Sequence, residues 1–158
     1  MNKDYITSEY RRMHEGGLFS GGSLKKHIPK IKKLVQEYNI KTMLDYGCGK
    51  ASCHKEKLAD SVYLYDPYYL PYDIKPKGTF DMVICTDVLE HVPEDEVGQV
   101  LHELISYTNE VLFLSISTRL ASKKFANGEN VHITIKPKEW WEAMLQNGKG
   151  IKIVSHYT

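Results

Sequence analysis

The sequence predicts an α/β fold: a doubly wound, mostly parallel sheet. Three observations carry this. Short apolar runs (TMLDY, VYLY, FDMVIC, EVLFLSIS and IKIVSHY) alternate along the chain with segments of helical periodicity. The runs are too uniformly apolar for strands with one wet face, so they read as strands covered on both sides, which is the habit of parallel sheets. The first run ends in LDYGCGKAS, an acid followed by two glycines that bracket a cysteine, as befits a tight turn at a strand end.

Taken in order, residues 4–14 form a short predicted helix. Residues 16–22, GGLFSGG, contain four glycines in seven positions and read as a flexible hinge. Ser23 is expected to cap a helix with Leu24, Ile28, Ile31, Leu34, Val35 and Tyr38 on one face. Lys25, Lys26, Lys30, Lys32 and Lys33 fall largely off that face, as a solvated surface or a phosphate contact. Strands are predicted at 42–46, 62–65, 80–85, 110–117 and 151–156, and helices at 51–59, 94–108 and 138–147. Residues 1–22 precede the first strand and carry Tyr5, Tyr10, His14 and Phe19; they read as a lid over the ligand site, as a fixed helix packed across one sheet edge, or as a subunit contact. Residues 23–158 form the ligand-binding domain.

Composition narrows the classes. A chain of 158 residues is one domain on size, and a net charge of +1 lacks the footprint of a dedicated nucleic-acid binder. The apolar runs are too short to span a bilayer, and the opening MNKDYITSEYRR has no signal-peptide core. Cys48, Cys53 and Cys85 form no CxxC pair, as in a reducing compartment. The expectation is a cytoplasmic protein with no membrane partner.

In doubly wound sheets ligands sit beyond the carboxyl ends of the strands, where strand order reverses. Gly47 and Gly49 would let a ligand approach the backbone there, ahead of a helix N-terminus. Asp66, 17 residues past Gly49, ends the second run and is placed to accept ribose hydroxyls. Asp45 would repel a pyrophosphate, and Ser52 stands where a dinucleotide fingerprint has its third glycine. A ligand with an ammonium group and no phosphates fits better.

LDYGCGKA, YLYDP and FDMVICTDVLEHVP together resemble, in order, the motifs of class I S-adenosylmethionine-dependent methyltransferases, over residues 41–117. The stretches FLSISTRLASKK and NVHITIKPKEWW look like small phage-type members. The resemblance implies a Rossmann-like methyltransferase fold that binds S-adenosyl-L-methionine and releases S-adenosyl-L-homocysteine. It assigns Asp45, Gly47 and Gly49 to the methionine end and Asp66 to the ribose, with Tyr46, Pro67, Tyr68, Thr86 and Asp87 as further cofactor-binding residues. Between the ribose acid and the next strand lie only residues 67–79, 13 residues with three prolines. The family's third strand and its helix are therefore expected to be missing. Tyr68 and Tyr69 then become candidates to cover adenine, with Asp73 for its amine. The chain also ends after one strand where the family commonly closes with a hairpin, and a reduced sheet with exposed edges favours a homo-oligomer. DPYY resembles the Asp-Pro-Pro-Tyr motif of DNA amine methyltransferases, but it follows the wrong strand.

Asp87, His91, His132 and Arg119 are the catalytic candidates, with Glu90, Ser117 and Asn130 nearby in the predicted layout. Trp140 or Trp141 would wall the acceptor pocket. Asp87, Glu90, His91 and His132 also resemble the carboxylate and histidine set with which small-RNA 2′-O-methyltransferases hold a divalent metal. An aspartate at the first position departs from that set and the RNA-binding surroundings are absent, so no metal is assigned. The expected function is methyl transfer to a small-molecule or modest polar acceptor, with nucleic acid left open as a partner. The alternatives are a non-catalytic cofactor-binding module, or an enzyme that hydrolyses or cleaves S-adenosylmethionine.

Overall fold

The computed structural model describes residues 2–148 and 150–158. Five strands, β1 (Thr42–Tyr46), β2 (Ser61–Tyr65), β3 (Phe80–Thr86), β4 (Thr108–Ile116) and β5 (Lys152–Tyr157), form one sheet in the order β2-β1-β3-β4-β5. Every pairing is parallel. The chain adds β2 on one side of β1, then β3, β4 and β5 on the other, so the order reverses between β1 and β3.

Alternate strand residues serve opposite faces, as a pleated strand requires. Leu44, Val83, Cys85, Leu112 and Leu114 pack beneath α3 (Glu94–Ser106), through Val97, Leu101 and Leu104, and beneath Trp141 of α4 (Lys138–Met144). Met43, Met82, Ile84, Val111 and Phe113 pack on the opposite side against Leu24 and against Ile31 and Leu34 of α2 (Ile28–Glu37). A third cluster stands apart from both. In it Ile6, Tyr10 and Met13 of α1 (Lys3–Glu15) cover Phe125 and Val131.

The doubly wound parallel sheet is as predicted, and residues 66–79 contain neither an α-helix nor a strand, only a 3₁₀ turn at Leu70–Tyr72. Other expectations need correction. No helix forms over 51–59: Ala51 takes φ +50°, a left-handed conformation that an L-residue does not propagate, and the segment continues as turns. Ser23 caps no helix. It lies in a 3₁₀ turn, Gly22–His27, with its hydroxyl 3.2 Å from the Thr86 carbonyl, and α2 begins at Ile28. The edge strands β2 and β5 are only partly buried, because an edge has one neighbour. Among the described residues no helix is long and apolar enough to cross a membrane.

Candidate functional site at the switch point

A cavity of about 610 Å³ opens beyond the carboxyl ends of β1, β2 and β3, a volume suited to a cofactor-sized ligand. Tyr46, Gly47 and Gly49 line it from the turn after β1, Asp66, Pro67 and Tyr68 from the end of β2, and Thr86 and Asp87 from the end of β3. His91 and His132 line it as well, as do Tyr10 and His14 of α1 and the segment from Leu18 to Ser23. Asp45 and Arg119 do not.

The turn after β1 is built by close approach. Gly47 (φ +80°) and Gly49 (φ +54°) adopt left-handed conformations, and a Cβ at position 47 would lie 2.3 Å from Val88 Cγ2. The space at Gly47 is thus filled by protein rather than kept for a ligand. A Cβ at Gly21 would lie 2.2 Å from the Cys48 carbonyl oxygen, and the Ser52 amide donates to the Ser20 carbonyl at 3.1 Å. The glycine-rich segment read as a hinge is packed backbone to backbone against the turn.

Asp66 braces the same turn. One carboxylate oxygen accepts from the Gly49 amide at 2.9 Å and the other from the Tyr68 amide at 2.9 Å. The amides of Gly47 and Cys48 both donate to the Tyr65 carbonyl, at 2.7 and 3.1 Å. His14 stands over the acid, its Nε2 3.6 Å from Asp66 Oδ1. Burial lowers the pKa of this imidazole, and Asp66 works against that shift. Tyr68 stacks on Tyr10 at 5.2 Å between centroids, whereas Tyr69 stacks on His14 outside the cavity lining and Asp73 is exposed.

Asp45 is buried on the other face of β1 and turned to His54, whose Nε2 lies 2.6 Å from Asp45 Oδ2. Burial raises its pKa, with the His54 hydrogen bond opposing. Its expected place beside the ligand is therefore corrected to an internal acid–imidazole pair.

Beyond β3 the chain turns sharply at Asp87, a non-glycine residue at φ +55°. Its carboxylate accepts from Ser115 Oγ at 2.6 Å and from Lys26 Nζ at 3.1 Å. Glu90 is fully buried; Oε1 accepts from the Ser117 amide at 3.0 Å, and Oε2 has no hydrogen-bond partner among the described residues. Burial pushes this carboxyl up to about 8. His91 Nδ1 lies 2.9 Å from the Val131 carbonyl oxygen, and His132 Nδ1 lies 2.6 Å from that of Arg119. A carbonyl only accepts, so each Nδ1 carries a hydrogen, and it is Nε2 of each ring that is left to act as a donor atom to a metal. One donor atom from each of Glu90, His91 and His132 lies within 4.8 Å of the others, and Asp87 is not of the group. Two imidazoles anchored through Nδ1 and an unpartnered carboxylate oxygen form a donor set that fits a divalent transition metal.

Arg119 is exposed and contributes its carbonyl to His132 rather than its guanidinium to the cavity. Asn130 braces the loop, its Oδ1 accepting from Ala121 N and His132 N. Trp141 is core and Trp140 packs against the same cluster, so neither walls the cavity. Sequence reasoning missed Val88, Lys123 and His54. The glycine pair at 21–22 was the one signal for the close-packed segment; a valine or a lone histidine carries none. The chain matches no protein-family model, no curated protein and no solved structure.

Proposed function

We propose that the chain is an S-adenosylmethionine-dependent methyltransferase with a small-molecule or modest polar acceptor. The observation that carries this reading is the state of the turn after β1. Its amides at 47, 48 and 49 are already bonded to Tyr65 and Asp66, so a pyrophosphate would find none of the free N–H groups that dinucleotide sites offer. A nucleoside without phosphates suits such a turn. Asp66 keeps further lone-pair directions for a ribose, since a carboxylate can accept about four hydrogen bonds. Tyr68, which lines the same cavity and is braced from behind by stacking on Tyr10, is the aromatic candidate to cover an adenine.

When bound, S-adenosylmethionine supplies an activated methyl group, so the protein's task is alignment and exclusion of water. Tyr10, His14 and Phe19 cover the cavity, while Asp87 and His91 line it on the side of β3. Glu90, His91 and His132 would hold a divalent metal, which would make an acceptor hydroxyl more acidic. Where the acceptor is instead a neutral amine, no base is required.

The test is incubation of the purified protein with methyl-labelled cofactor and fractionated cell extract. Label in an acceptor, with S-adenosylhomocysteine in equal amount, is the expected result. Methylthioadenosine would redirect the assignment to cofactor cleavage, and bound cofactor that never turns over would redirect it to a non-catalytic module.

A further inference from the structure

We propose that Tyr10 of α1 is a positioning residue: it holds His91 in the tautomer with hydrogen on Nδ1, so that capture of a divalent cation by Glu90, His91 and His132 depends on docking of the N-terminal helix. The inference rests on the metal-binding part of the function proposed above.

The Tyr10 hydroxyl sits 2.8 Å from the Val131 carbonyl oxygen, 3.1 Å from the His91 carbonyl oxygen and 3.2 Å from His91 Nδ1. Its single hydrogen goes to the nearest acceptor, Val131. The Val131 carbonyl therefore receives two donors, the tyrosine hydroxyl and the imidazole N–H, and the tyrosine oxygen can itself accept from that N–H. The contact between Nδ1 and the Val131 carbonyl calls for hydrogen on Nδ1, and with the hydroxyl hydrogen committed to Val131 the tyrosine oxygen reinforces it as a second acceptor. The tautomer is what a metal ligand needs, because the lone pair is then left on Nε2.

The tyrosine is well placed to impose this. It is buried, with its ring edge-on to His91 at 5.5 Å and to Phe125 at 5.2 Å, and stacked on Tyr68 at 5.2 Å. Val131 is buried in the same cluster but lies outside every helix and strand. Its backbone is tied by a 3.4 Å bond from its amide to the Lys123 carbonyl and by the Tyr10 hydroxyl. Removing the hydroxyl frees the carbonyl that orients the imidazole. Loss of such an outer partner lowers metal affinity by roughly 10–100-fold in known sites.

The experiment uses the full chain, with nitrogen-15 shifts of the His91 ring recorded without metal, followed by cobalt(II) titration read by visible absorption. The wild type is expected to show a single Nδ1–H tautomer at His91 and one cobalt site that Glu90→Gln removes. Tyr10→Phe, which keeps the ring, is expected to mix the tautomers and weaken cobalt about tenfold or more. Phe125→Ala loosens the helix and should weaken cobalt as well. An Nε2–H tautomer in the wild type overturns the proposal without any variant. Unchanged tautomer and cobalt affinity in Tyr10→Phe also overturn it. A wild type that binds no cobalt, while Tyr10→Phe still shifts the tautomer, refutes the metal reading and the coupling with it, and leaves Tyr10 as a tautomer-setting residue only.

Discussion

Asp66 gives one oxygen to the Gly49 amide and the other to the Tyr68 amide, so it braces the turn before any ligand is present. Asp66→Ala should accordingly destabilise the ligand-free protein by about 1–3 kcal/mol, the effect of stranding buried amides, and weaken cofactor binding besides. Urea unfolding separates the first effect from the second, which calorimetry reads. Gly47 shows the same priority of structure over ligand contact. An alanine there meets Val88 and must also adopt φ +80°, and the expected loss of stability is about 2–4 kcal/mol. The double variant Gly47→Ala with Val88→Ala should recover the steric part and leave the backbone strain. His27 adds a pH dependence. Burial first, then Lys26 and His156, lower its pKa from 6.5 to about 4, against an opposing pull from Asp87. Between those values the unfolded chain binds more protons, so this group's contribution to stability is complete above the upper value and falls as pH drops toward the lower. Its slope is bounded by about 1.4 kcal/mol per pH unit. Unfolding titrations should show a flatter acid limb for His27→Gln than for the parent.

At the scale of elements, the strands were legible because five apolar runs bounded by turn residues leave little choice of period. The direct loop between β2 and β3, with no α-helix or strand, was legible too, since three prolines in 13 residues forbid both. The helix expected over 51–59 was not stopped by local propensity. It was overridden by tertiary contacts, with His54 drawn to Asp45 and the Ser52 amide to the Ser20 carbonyl. Of the site, the residues on the strand ends were readable from spacing. The contribution of α1 was not, because its partners Phe125 and Val131 lie over a hundred residues away in a segment without periodicity. That helix and its partners form a cluster separate from both sheet faces. Phe125→Ala should therefore act locally despite a cavity cost of about 3–5 kcal/mol. Hydrogen exchange is expected to rise in residues 3–15 and 119–134 and to stay unchanged in β1, β3 and β4. A uniform rise across the sheet would mean that α1 and the sheet unfold as one unit.

The whole molecule places one cavity where its strand order reverses, framed by an acid-braced glycine turn and covered by a helix that belongs to neither sheet face. We propose that this cavity takes an adenosine-bearing sulfur cofactor rather than a dinucleotide. Calorimetric titration of the purified protein with S-adenosylhomocysteine, and in parallel with NAD, tests that claim most directly. Saturable one-site binding of S-adenosylhomocysteine, weakened in Asp66→Ala, is expected, with no heat from NAD. Saturable binding of NAD with none of S-adenosylhomocysteine would contradict it.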